Sequence, residues 1–207
     1  MKYNEFMGQV KRVYHSKLRA EQTEATRRRI VDAARRLFAG QRYEGVTMEQ
    51  LAEEAGVAIQ TLYAAFGSKF NLAYAVVEEA LSSAGVREMA QTAAVITDAE
   101  EALRFAAHVN RVVDERLLDL DNILSANSMR QVAQTSAHAR ESDLIGVVTT
   151  IVASPRRRAE LSQGEIRDIL VTLTAPLLYR MLVAERGWSP ERYEKWLGDL
   201  LVASLLQ

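Results

Sequence analysis

Between Thr47 and Phe66 the sequence is punctuated so closely that few backbone paths remain open to it. Thr47-Met48-Glu49-Gln50 has the form of a capping box: the threonine hydroxyl accepts from the Gln50 backbone N–H, and the Gln50 side chain returns to the threonine N–H. A helix therefore starts there, with Leu51, Ala52 and Ala55 as a narrow apolar stripe and Ala52 small enough to let another helix cross closely above it. Gly56 supplies the left-handed conformation that ends such a helix. A second short helix is predicted from Ala58 to Phe66, presenting Leu62 and Phe66 inward and leaving Ile59, Gln60, Thr61, Tyr63 and Ala64 to its other faces. Two short helices joined by a tight glycine turn, the second carrying small and polar residues outward, form the arrangement that lays a recognition helix in a DNA major groove.

What precedes this segment suits it. From Glu24 to Ala39, apolar residues fall at Ile30, Ala33, Ala34, Leu37 and Phe38, the stripe of an amphipathic helix. Its opposite face carries Arg27, Arg28, Arg29, Arg35 and Arg36, a run that serves either as a cationic solvent face or as a surface for a polyanion. Gly40 is the predicted stop. The net charge of -1 conceals an asymmetry: residues 1–69 hold 12 Lys/Arg against 8 Asp/Glu, whereas residues 70–207 hold 14 against 19. Anions are therefore expected to bind the N-terminal part.

Composition carries the helical reading to the whole chain. Only 3 prolines and 10 glycines interrupt 207 residues, and Ala, Leu, Glu, Arg and Gln are plentiful, so an all-α architecture is predicted. The rival stretch is Leu144 to Val152, rich in β-branched residues and read here as a buried helix. With no cysteine, disulfides, thiolate zinc sites and cysteine nucleophiles are excluded, and a reducing cytoplasm is the expected compartment. No apolar run is long enough for a membrane span.

The series Thr47, Leu51, Ala52, Ala55, Gly56, Val57, Thr61, Leu62, Tyr63, Phe66, Ser68, Lys69 and Leu72 resembles the helix-turn-helix of the TetR family of transcriptional regulators. The resemblance covers residues 24 to 84. It implies a three-helix DNA-binding head over residues 23–70, behind a basic extension at 1–22 that is either a disordered tail or an arm reaching a neighbouring minor groove. Residues 71–207 would then form a larger helical regulatory and dimerisation domain. The resemblance makes Thr47, Tyr63 and Lys69 phosphate contacts, Lys69 at the start of a helix capped by Ser68. Base edges would fall to Gln60 and Thr61, with apolar contacts from Ala58, Ile59 and Ala64. Three positions depart from the family pattern: Ala58 where a capping Ser or Thr is usual, Ala65 where an aromatic or histidine is usual, and Phe70 where an acid is usual.

In the body, a long helix is predicted from Ser68 to about Ala90 and another behind a capping box at Thr97 to Glu100. Periodicity does not assign residues 121–141. Ser162-Gln163-Gly164-Glu165 is a third capping box, opening a helix through Leu182 that is expected to kink at Pro176 and leave the Thr172 carbonyl to another donor. Gly187 ends it, and Ser189-Pro190 starts the last helix. In the family the last two helices form a four-helix dimer interface, which here would use Leu173, Leu177, Met181, Trp196, Leu197, Leu200 and Leu201; the alternative is that they pack inside one chain. By the same analogy, an unidentified small-molecule effector would be enclosed by Phe105, His108, Met129, His138 and Tyr179.

The partners implied are thus palindromic double-stranded DNA, a second copy of the chain and an effector, with no cofactor and no metal. An enzyme is not expected: His15, His108 and His138 lie far apart, and HExxH, glycine-rich phosphate loops and GxSxG are absent. The other reading is a helical protein-interaction module that has lost DNA binding, for which Ala58, Ala65 and the low net charge speak.

Overall fold

Short side chains that cap backbone N–H groups set five of the helix starts, at Thr47, Ser68, Asp98, Ser162 and Ser189. The computed structural model describes residues 2–93, 95–124, 126 and 144–207, with side chains from Glu21 onward except at Arg87, Ala90, Asp121 and Asn122. The helices are α1 (Lys2–Gly40), α2 (Met48–Ala55), α3 (Ile59–Phe66), α4 (Lys69–Ser83), α5 (Val86–Ala93), α6 (Ala99–Leu117), α7 (Asp121–Leu124), α8 (144–153), α9 (Gln163–Leu173), α10 (Pro176–Tyr179) and α11 (Pro190–Leu205). Among the described residues there is no named strand, and one isolated antiparallel bridge joins Arg157 to Leu206. The chain divides into two compact units, Met1–Val76 and Val77–Gln207. The division lies inside α4, six residues beyond the boundary expected after residue 70.

The first unit is built on α1, which packs against α2, while α2 packs on α3. Its core is Ile30, Ala33, Ala34, Phe38, Tyr43, Val46, Leu51, Ala52, Ala55, Leu62, Phe66 and Leu72, all buried. α1 ends at Gly40 as predicted, but it runs back to Lys2 without a break where the extension was expected to meet the head.

In the second unit, α6 and α11 form the principal packed pair. Leu103, Ala106 and Ala107 of α6 meet Val147, Val148 and Ile151 of α8, Ile166 and Leu170 of α9, and Tyr193, Leu197, Leu201 and Leu205 of α11 in one core. The β-branched run at 144–152 is therefore helical and buried, as read from the sequence. Gly198 of α11 faces α6, where a Cβ would meet Arg104 at 3.6 Å and Ala107 at 3.8 Å, ordinary contact distances.

Three expectations are corrected. The cap of α6 is Asp98, whose carboxylate accepts from the Glu101 N–H at 2.8 Å, one residue later than the predicted Thr97 box; a carboxylate is the better acceptor at a positive helix end. The long helix after Ser68 is two helices, because Gly85 takes φ +71° between α4 and α5. Pro176 does not kink a continuous helix but opens α10, after α9 has ended at Leu173 with Thr174 as its cap. The Thr172 carbonyl accepts from the Ala175 N–H at 3.3 Å. Residues Arg180–Glu185 then adopt a wider π-helical turn, and Gly187, at φ +70°, closes the segment.

Where the chain breaks at Thr174, a buried polar cluster takes over the backbone. Asn110 of α6 donates from Nδ2 to the Thr174 carbonyl at 2.8 Å and to Asp114 Oδ2 at 3.0 Å, and its Oδ1 accepts from the Tyr193 hydroxyl at 2.9 Å. Asn110, Asp114 and Thr174 are the buried polar residues of the described chain. Tyr193 stands edge-on to Tyr179 with ring centroids 4.9 Å apart. Burial pushes the Tyr179 phenol up to about 12 and the Tyr193 phenol higher still, so both remain donors at any physiological pH.

Candidate nucleic-acid interface

The DNA-facing geometry starts from α2. Its capping box is complete: the Gln50 N–H donates to Thr47 Oγ1 at 3.3 Å and the Thr47 N–H to Gln50 Oε1 at 2.9 Å. Thr47 is exposed while Met48 beside it is buried, so the capped, positive end of α2 lies at the surface, a geometry that suits a phosphate. Gly56 ends α2 at φ +61° and delivers the chain to α3 with an extended, uncapped Ala58.

On α3, Leu62 and Phe66 are buried, which turns the opposite face outward. Ala58, Gln60, Thr61, Tyr63 and Ala64 are exposed and Ile59 is half-buried. By helical spacing Ala64 lies at the centre of the outward face with Gln60 and Thr61 on either side, so the two polar side chains flank a flat apolar floor. Tyr63 lies toward the edge of that face, with 48% of its surface exposed.

Two basic residues hold the head together rather than standing free. Lys69 Nζ donates to the carbonyls of Val46 at 2.8 Å, Tyr43 at 2.9 Å and Glu44 at 3.4 Å, and lies 4.5 Å from the centroid of the Tyr43 ring. An ammonium has three donors, and here all three serve the turn before α2. The resemblance implies a phosphate for this ammonium; within the head it holds the turn before α2. Arg27, unremarked within the basic run, places its guanidinium 4.3 Å from the Phe66 ring centroid and donates to the Ala65 carbonyl at 3.3 Å. The last turn of α3 is thereby bound to α1. Arg36 pairs with Glu54 at 3.0 Å and Arg28 with Glu24 at 3.3 Å, both on the surface. Nothing in the one-dimensional basic run distinguished these roles, since each depends on what α1 faces.

Residues 30–76 match the family described as "Bacterial regulatory proteins, tetR family". The head is that of a TetR-family regulator. The fold agrees over most of the chain's length. A SmeT–triclosan complex superposes with a TM-score of 0.71 at 18% identity, covering 88% of this chain and 92% of that one. PfmR of Thermus thermophilus, a TetR family transcriptional regulator, gives 0.62 at 25% identity over 84% and 93%. NalD of Pseudomonas aeruginosa, the secondary repressor of the MexAB-OprM multidrug efflux pump, gives 0.66 at 21% over 90% and 98%. No curated protein matches the sequence. The family match thus covers the helix-turn-helix, and the rest of the chain shares the fold of these regulators: an N-terminal helix-turn-helix followed by a larger helical domain.

The regulator's body places the remaining predicted residues unevenly. Phe105 and His108 are half-buried neighbours on α6, 6.1 Å between ring centroids. His108 Nδ1 lies 3.2 Å from both Glu194 oxygens, and Arg111 Nε donates to the same carboxylate at 2.6 Å. Tyr179 is a core residue, 1% exposed and packed on Tyr193. Met129 and His138 lie outside the described residues. A separate open hollow of about 400 Å³ is lined by Ile145, Val148, Gln163, Gly164 and Arg167.

Of the predicted dimer residues, Leu197 and Leu201 are fully buried within the chain and belong to its own core. α6 occupies the side of α11 on which they stand, so they are withdrawn from the interface. Leu173, Trp196 and Leu200 are half-buried, whereas Leu177 and Met181 are 51% and 41% exposed. Among the described residues no cluster of three metal-ligating side chains occurs, and no helix is long and apolar enough to cross a membrane.

Proposed function

We propose that this regulator is a cytoplasmic, ligand-responsive repressor that binds a palindromic operator as a homodimer. The single observation that carries the reading is the outward face of α3, where Gln60 and Thr61 flank Ala64 above a buried Leu62. A glutamine can bond adenine at two positions, a threonine offers a hydroxyl or a methyl, and an alanine floor admits the thymine methyl. Thr47 and Tyr63, exposed on either side, would anchor phosphates without reading sequence. Repression is supported by the described role of NalD, and an effector by the triclosan bound to SmeT, both on this fold. Chemistry is not part of the proposal.

Selecting bound sequences from a random duplex pool tests the reading directly. A palindrome with half-sites about one helical turn apart, ~34 to 36 Å, is expected. No enrichment would favour a protein-interaction module instead. With the operator in hand, Gln60→Ala should relax base preference at one position per half-site and cost about 1 to 3 kcal/mol there, leaving nonspecific affinity nearly intact. A uniform loss over all sequences would place Gln60 on phosphate.

Self-association is supported by the exposed apolar pair Leu177 and Met181, continued by half-buried Leu173, Trp196 and Leu200. Exchanging both exposed residues for glutamate would bury two like charges in the interface. Sedimentation should then show a monomer, with operator binding weakened at least a hundredfold because two heads no longer bind as one. A doubly substituted protein that remains dimeric would place the interface elsewhere.

A further inference from the structure

A lysine at the first position of a helix is unfavourably placed, because the helix end is itself positive. Lys69 occupies that position on α4, behind the Ser68 hydroxyl that caps the helix by accepting from the Asn71 N–H at 3.1 Å. Its compensation lies 23 to 26 residues back in the chain, where the carbonyls of Tyr43, Glu44 and Val46 converge on Nζ. These carbonyls belong to the tight turn at Tyr43–Gly45, held otherwise by the Gly45 N–H to the Arg42 carbonyl at 3.0 Å and the Val46 N–H to the Tyr43 carbonyl at 3.3 Å. Tyr43 and Val46 are buried, and the Tyr43 ring lies 5.5 Å from that of Phe38. One residue after Val46 stands Thr47, the exposed cap of α2.

We propose that Lys69 is a positioning residue for the DNA-facing end of α2: its ammonium clamps the 43–46 turn, and through it sets where Thr47 meets the phosphate backbone. The proposal rests on the reading that Thr47 anchors a phosphate. Without the ammonium, three converging carbonyl dipoles would repel one another, and the turn that aims α2 would loosen. A phosphate bound by Lys69 itself would have to draw one of the ammonium's N–H donors away from a carbonyl. The two roles differ in electrostatics. A lysine that neutralises a phosphate releases a counterion, so its removal lowers the slope of log affinity against log salt by about 0.9. A lysine that acts through the turn leaves the slope where it is.

The test uses the full chain, the selected operator and a salt series, with Lys69→Met, Lys69→Arg, Thr47→Val and the double variant Lys69→Met/Thr47→Val. Lys69→Met is expected to weaken operator binding about tenfold with an unchanged salt slope. Lys69→Arg should fail to rescue, since a planar guanidinium cannot place donors on three carbonyls converging at one point. The double variant should be no worse than the poorer single one, because both substitutions remove the same contact. A slope lowered by about one, full rescue by arginine, or additive losses would each overturn the proposal in favour of direct phosphate binding. Amide exchange of the DNA-free protein judges the clamp separately: Lys69→Met should speed exchange at Gly45 and Val46, and unchanged exchange there would overturn it. Failure of the wild-type chain to bind duplex DNA would instead count against the functional reading.

Discussion

Replacing Leu62 by alanine is expected to remove operator binding at physiological temperature while the body remains folded. Leu62 is fully buried on α3, and the core around it is thin in volume, because Ala33, Ala34, Ala52 and Ala55 occupy so many of its positions. Truncating a buried leucine costs about 2 to 5 kcal/mol through lost transfer energy and an unfilled cavity. For a unit of this size, each kcal/mol corresponds to roughly 4 to 8 °C of melting temperature. A loss of about 3 kcal/mol should therefore lower the head's transition by roughly 12 to 24 °C. Calorimetry should show an early transition for Met1–Val76 ahead of that for Val77–Gln207. Leu62→Met, which keeps the volume, should cost under about 1.5 kcal/mol and retain binding. Wild-type affinity and melting in Leu62→Ala would refute the role assigned to this core.

The second large effect is expected at Asn110. Its side chain satisfies the Thr174 carbonyl and the Tyr193 hydroxyl together, both buried. Alanine there would strand the Tyr193 donor and remove a donor from two acceptors, the Thr174 carbonyl and Asp114 Oδ2, each loss costing about 1 to 3 kcal/mol when no water replaces the partner. A loss of about 3 kcal/mol in denaturant-derived stability is expected, with DNA affinity of the surviving folded protein little changed. Tyr193→Phe should cost less, since it strands Asn110 Oδ1 alone. Adding Tyr193→Phe to Asn110→Ala should recover part of the loss, because the orphaned hydroxyl disappears with it. A cost below 1 kcal/mol for Asn110→Ala would mean that water enters and that the cluster does not hold the break before Pro176.

Salt links tie the same elements at the surface and are expected to matter less. Arg104 bridges Glu100 on its own helix to Asp199 on α11 at 3.0 and 2.9 Å. Hydrogen bonds from Arg156 and Arg104 hold the Glu100 carboxyl below the usual carboxylate range, and those from Lys195 and Arg104 do the same for Asp199. Exposed pairs of this kind contribute little each, so the specificity of α6 against α11 rests on the core and on Asn110.

Local chemistry determined what the sequence by itself could state. The capping boxes at Thr47 and Ser162, the glycine end of α2, the uncapped Ala58 and the proline start of α11 each depend on residues within a turn of one another, and each is found where it was read. The helicity of 144–152 followed likewise from length and context. The outward set on α3 was legible because Leu62 and Phe66 define its inner face by period alone.

Tertiary structure alone decided what faces what. The sequence gives Lys69 a place at a helix start, but only folding brings Tyr43, Glu44 and Val46 to its ammonium. Leu197 and Leu201 read as an apolar stripe that either a second chain or this one might cover; α6, about ninety residues earlier, covers it. At Pro176 the missing N–H predicted a disturbance, while its form, a full break stitched by Asn110, required a polar side chain from another helix. An apolar stripe or a cation records what must be satisfied. Which partner satisfies it is settled by the packing of residues distant in the chain.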